Sequence, residues 1–115
     1  MRLARQQLQD NALHDAILTL QRALPQAADR ADFHAFLAAL LQRDDRHRAA
    51  VEHYTVALRG APGNGVWWMG LGISCQALQM AAQAQQAYRS AQASGGLSPE
   101  LAAFVDARLA QLQRP

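Results

Sequence analysis

Lysine is absent from this chain of 115 residues, and all eleven basic side chains are arginine, which we read as codon bias rather than a device. Cysteine occurs once, at Cys75, so no intramolecular disulfide can form and the redox compartment stays open. No run approaches the roughly 18 uninterrupted apolar residues that a membrane-crossing helix needs. Met1 to Asp10 mix Arg2, Arg5 and three Gln with few apolar residues, which is not a signal-peptide pattern. Net charge is only +2. The arginines are scattered among acidic residues, and the one dense cluster is Arg43, Arg46 and Arg48 with His47, beside Asp44 and Asp45. Nucleic-acid binding calls for a basic stripe as well as a high pI, so nucleic acid is not an expected partner despite a pI of about 9.3.

Catalytic patterns are equally scarce. His14, His34, His47 and His53 show no HExxH or ExxH spacing, and no CxxC accompanies them. Ser74 and Ser90 lack a neighbouring base, and there is no G-x-S-x-G. The Gly63–Gly65 and Gly70–Gly72 segments do not sit where a strand would feed a phosphate-binding helix. The reading is a non-enzyme with no metal and no cofactor.

What is present is an internal repeat. Laying Ala31–Asn64 over Gly65–Ser98 aligns Leu37, Ala38, Ala50, Tyr54 and Ala57 with Leu71, Gly72, Ala84, Tyr88 and Ala91, a period of 34 residues. Half of the chain is apolar, enough for one domain with a core. Phe33, Phe36, Leu37, Leu40 and Leu41 recur at helical spacing and predict a first helix. Ala50, Val51, Tyr54, Ala57 and Leu58 predict a second, and Gly60, Pro62, Gly63 and Gly65 break the chain after it. Small residues at Ala38, Gly72, Ala50 and Ala84 allow paired helices to approach closely. Tyr54 and Tyr88 are expected to pack toward the next first helix, with their hydroxyls at a polar edge. Trp68 is read as buried packing, as is Cys75. Trp67 is expected to pack partly on the preceding unit, with a ligand-binding role as its alternative.

The domain is thus divided into a partial repeat over 1–30, repeats over 31–64 and 65–98, and a capping helix over 99–113. In the first unit Met1 already stands at the fifth repeat position, which reads as truncation. Asp10 and Asn11 suit its turn, and Pro25 is expected to close its second helix early. Ser98-Pro99-Glu100 forms a helix start. The helix that follows has Leu101, Phe104, Val105, Leu109 and Leu112 inward and Asp106, Arg108, Gln111 and Gln113 outward. Solenoids need such an end, so Pro115 is expected near the true C-terminus.

Trp68, Leu71, Gly72, then Ala50, Tyr54, Ala57 and Pro62 reproduce W-x2-L-G, A-x3-F-x2-A and P. The chain therefore resembles the tetratricopeptide family. The resemblance implies an all-α, right-handed solenoid that binds protein segments in a concave groove. It places Asp32, Ala35, Ala39, Gln42 and Arg43, Val66, Met69, Ile73, Gln76 and Ala77, and Arg5, Leu8 and Gln9 on that groove. The implied mechanism buries a partner's apolar side chains on Val66, Met69, Ile73 and Ala39, oriented by Gln42, Gln76 and Arg43. A co-chaperone-like receptor for a C-terminal carboxylate is a secondary reading, since Arg5 and Arg43 stand alone there without Lys or Asn. The Asn64–Ser74 run and the Gly96–Pro99 ending are also similar to the repeat domain of pilus-biogenesis proteins of the MshN kind. That likeness implies a role in pilus or secretion assembly, and a periplasmic, membrane-anchored parent protein; otherwise the compartment is cytoplasmic. No membrane contact is expected of this segment itself. The alternative is self-association, through a surface around Leu13, Ile17, Leu20 and Leu24 that the incomplete first unit would expose.

Overall fold

Residues 2–114 are described by a computed structural model of the chain, and they form seven α-helices: α1 (Arg2–Gln9), α2 (Leu13–Ala27), α3 (Ala31–Arg43), α4 (His47–Gly60), α5 (Gly65–Ala77), α6 (Ala81–Ser94) and α7 (Pro99–Leu112). No strand occurs among them. The expectations resting on Met1 and Pro115 lie outside the described residues. Helices α1/α2, α3/α4 and α5/α6 are antiparallel pairs that stack in order into a body of 42 × 25 × 24 Å, with α7 against α6. This is the all-α, right-handed solenoid anticipated from the repeat.

The turn inside each pair has one design. Asn11, Asp45 and Gln79 occupy the same repeat position, and all three have positive φ, at 60°, 59° and 61°. The amide that follows each turns back five residues: Ala12 to the Gln7 carbonyl, Arg46 to that of Leu41, and Met80 to that of Cys75, at 2.7, 2.8 and 2.9 Å. A second bond from each left-handed residue reaches back three positions, to Leu8, Gln42 and Gln76. This is a Schellman cap, which satisfies carbonyls at the helix end. Asn64 and Ser98 cap the starts of α5 and α7 by accepting from the amides of Trp67 and Leu101.

Two apolar clusters form the core. One joins Ala4, Ile17, Leu20, Phe33, Leu37, Leu40, Leu41 and Tyr54; the other joins Cys75, Ala84, Tyr88, Ala91, Val105 and Leu109. Half-buried Leu71 packs on both and links them. The small residues work as expected. Ala38, Ala50 and Ala84 are wholly buried, and a Cβ on Gly72 would lie 2.7 Å from Cε1 of Tyr88. A Cβ on Gly70 would likewise strike the ring of Tyr54, so Tyr54 lies flat against the α5 backbone. Tyr54 therefore reaches the next unit, and Tyr88 likewise shares a cluster with Val105 and Leu109 of α7, while its ring also meets Gly72 and its hydroxyl donates to Gln76 Oε1 at 2.9 Å.

Three expectations are corrected. Pro25 does not close α2 but sits within its last turn, and the helix runs on to Ala27. Its missing N–H leaves the Gln21 carbonyl without its usual helical partner, on an exposed stretch open to solvent. Trp68 is half-buried rather than buried. The surface expected to drive self-association is already covered: Ile17 and Leu20 are wholly buried, and Leu13 and Leu24 pack on the first cluster. Although short, α1 covers what the incomplete unit was expected to expose.

Candidate functional site

Helices α1, α3 and α5 carry the predicted groove residues. On α5, Met69, Ile73 and Gln76 follow one another at spacings of four and three, hence on one face. Met69 and Ile73 are half-buried against the second cluster, and Val66 stands 44% exposed at the start of the helix. On α3, Ala35 is buried and Ala39 half-buried, Asp32 is exposed and paired with Arg30 at 3.2 Å, and Arg43 is exposed. Arg5 of α1 lies 5.0 Å from the centre of the Phe36 ring, a cation–π contact across to α3.

The two groove glutamines are held by the protein itself. Gln42 Nε2 donates to the Gly70 carbonyl at 2.7 Å and to Ser74 Oγ at 2.8 Å, which ties α3 to α5. Buried Ser74 is also 3.0 Å from His47 Nδ1. Gln76 Oε1 accepts from Tyr88 and, at 2.9 Å, from Arg108 of α7. Arg108 was expected to face outward; instead it crosses from α7 to α5 with its guanidinium 4.8 Å from the Phe104 ring centre. One reason is chemical: a guanidinium that stacks on a ring still presents N–H groups at its edge. The arginine cluster at the α3/α4 turn is locally balanced, with Arg46 bonded to Asp44 at 3.0 Å and His47 within 3.6 Å of Asp45.

A second feature lies where consecutive units meet. Trp68 Nε1 donates to the Pro62 carbonyl at 2.7 Å. One repeat earlier His34 Nε2 meets the Ala28 carbonyl at the same 2.7 Å. A ring N–H at the fourth repeat position thus ties down the preceding linker in both units. Since a carbonyl can only accept, Nε2 of neutral His34 carries the proton and Nδ1 is an acceptor. His53 Nδ1 approaches that atom at 2.9 Å and so donates to it, and the two rings stack with centroids 5.2 Å apart and planes 27° off parallel. Burial, and the repulsion that two protonated rings so close would feel, push the pKa of His53 below its ordinary 6.5, against the opposing pull of Glu52. The sequence reading missed this pair: it placed His34 at the tryptophan position as a half-buried ring and His53 among polar neighbours of the second helix, and no motif spacing joins two rings 19 residues apart. His34 is buried, not half-buried. One period on, His34 aligns with Trp68 and His53 with Ala87.

Ala87 leaves space where His53 has a ring. Two adjoining cavities of about 230 Å³ each open beside Trp68, both bordered by Thr55 and Leu71. Leu58 and Arg59 close one, and Val51, Cys75 and Ala87 are among the walls of the other. Burial raises the pKa of the Cys75 thiol, as a packed cysteine requires. Among the described residues no group of three or more His, Cys, Asp or Glu could hold a metal ion, and no helix is long and apolar enough to cross a membrane.

No family model and no curated protein matches the chain. Solved structures do. The type III secretion chaperone SycD of Yersinia enterocolitica, in complex with a peptide of the translocator YopD, superposes with a TM-score of 0.88 at 19% identity, covering 97% of this chain and 88% of that one. PcrH, a protein of Pseudomonas aeruginosa, in complex with the chaperone binding region of PopD, gives 0.85 at 20% identity over 96% and 86% of the two chains. The second TPR domain of human RPAP3, in complex with an HSP70 peptide, gives 0.84 at 12% identity over 99% and 92%. At such identities the likeness speaks for the fold, and the fold is that of a tetratricopeptide solenoid.

Proposed function

We propose that the chain is a non-catalytic scaffold that holds a segment of a partner protein in the groove lined by α1, α3 and α5. The observation that carries this reading is that SycD, PcrH and RPAP3, alike in fold over nearly the whole chain, were each solved with a peptide or segment of another protein. Partner apolar side chains would pack on Val66, Met69, Ile73 and Ala39, with Arg43 and the exposed edge of Arg5 orienting the segment. Gln42 and Gln76 support the floor, since their amides already bridge α3, α5, α6 and α7. Asp32 stands at the groove entrance, and Ala35 serves as packing beneath it.

The setting we favour is assembly of a secretion or pilus apparatus. It rests on the Asn64–Ser74 sequence likeness and on the two bacterial neighbours, one of them named as a type III secretion chaperone. A co-chaperone-like receptor is the second reading, supported by RPAP3. The absence of Lys, and the engagement of Arg5 over Phe36, leave Arg43 as its main carboxylate contact. The test is substitution of Met69 and Ile73 by Glu, read by co-purification of partners and by circular dichroism. Lost partner with intact helicity supports the groove. Retained partner places docking elsewhere, and loss of the fold assigns these residues to the core.

A further inference from the structure

Between α4, α5 and α6 lies a space whose counterpart at the first junction holds a side chain of the protein itself. At the first junction the ring at the fourth position, His34, is covered by the stacked ring of His53. At the second, Trp68 is the larger and more apolar platform, yet the aligned residue is Ala87, with only a methyl to offer. Two of the three cavities that Trp68 borders share Thr55, Trp68 and Leu71, and so form one recess. Each lobe of it, at about 230 Å³, has room for single side chains. Its one charged wall is Arg59, exposed and with no ion-pair partner among the described residues; the aligned residue in the first unit is Pro25.

We infer that this recess is a second docking site, distinct from the concave groove, that takes an aromatic side chain of a partner protein flanked by a carboxylate. The occupant's ring stacks on Trp68 as His53 stacks on His34, and the adjacent Asp or Glu pairs with Arg59. His53 is the template for the ring. The charge of Arg59 is the template for the acid. One ring and one exposed ion pair make a small contact, so an isolated short motif binds weakly, with a dissociation constant on the order of 1 mM. The site gains strength only as part of a longer partner that also engages elsewhere.

The test is a 15N NMR titration with three blocked tripeptides: Glu-Phe-Glu, Glu-Ala-Glu and Lys-Phe-Lys. Saturable shifts at the Trp68 indole N–H, Thr55, Arg59 and Leu71 are expected with Glu-Phe-Glu alone. Arg59→Glu, on the exposed rim, should weaken that binding about tenfold, and Ala87→His should abolish it by supplying the ring from within. Because Ala87 is buried, the Arg59 variant keeps the test valid if the Ala87 variant does not fold. Met69→Glu should leave it unchanged, which separates this site from the groove. No shifts, equal shifts with Lys-Phe-Lys, or shifts centred on Met69 and Ile73 would each overturn the inference.

Discussion

At the junction of the first and second units Leu20 and Phe36 pack in one cluster, and His53 covers His34; one period later the matching pairs are Tyr54 with Gly70, and Ala87 with Trp68. In the first contrast size is exchanged: a larger residue on the second helix meets a smaller one on the next first helix, and the Tyr54 ring lies where Gly70 has no side chain. In the second the larger ring of Trp68 faces a methyl instead of a ring, and the space left beside the indole is the recess. Packed interiors tolerate exchange of volume between partners far better than a net change. A repeat can therefore keep its geometry while individual positions drift, provided that partners drift together. Where they do not, a cavity is left.

The largest effect should come from undoing the Tyr54–Gly70 exchange. Gly70→Phe drives a ring into Tyr54 and should cost about 3 kcal/mol in urea unfolding, while adding Tyr54→Leu should recover a substantial part. Strict additivity of the two would break the idea of paired volumes. Next come the linker bonds. Trp68→Phe loses the bond to Pro62 and a little of the ring's packing on the second cluster, and should cost about 1 kcal/mol. His34→Phe loses its bond to Ala28 and the acceptor for His53, and should cost about 2 kcal/mol. Equal losses would show that the histidine pair adds nothing to the first junction.

A pH dependence should distinguish the junctions further. The folded-state pKa of His53 lies below the unfolded 6.5, so the unfolded chain binds the proton more readily. Stability from this group is complete above pH 6.5 and is lost as pH falls through the lower folded value. Melting temperature should therefore drop between pH 7 and pH 5, and His53→Ala should flatten that slope; an unchanged slope would dismiss the pair as its source. The smallest effect concerns the left-handed turns. Gln79 lacks the local hydrogen bonding that suits Asn11 and Asp45 to positive φ, so Gln79→Gly should raise stability by about 0.5 kcal/mol.

Much of the fold was legible because the 34-residue period places the same residue types at the same contacts, so Ala38, Gly72, Ala50 and Ala84 could be read as close approaches from one chain alone. Helix boundaries followed from Gly60 to Gly65 and from Ser98-Pro99. Pro25 misled because a proline in a helix's last turn removes a bond that solvent can replace. The groove was legible only as positions. That Gln42 and Gln76 spend their amides inside the solenoid, and that Arg108 turns inward to Gln76, depends on contacts 28 to 32 residues apart, which periodicity does not encode.

The groove reading is tested most directly by a photo-crosslinking amino acid placed at Met69, with a second version at exposed Arg22 on α2, in lysate of the source cells. Capture of a defined partner segment from Met69 and not from Arg22 is the expected result. Equal capture from both positions, or capture of the protein by itself alone, would contradict a docking groove and leave these helices as a structural or self-associating module.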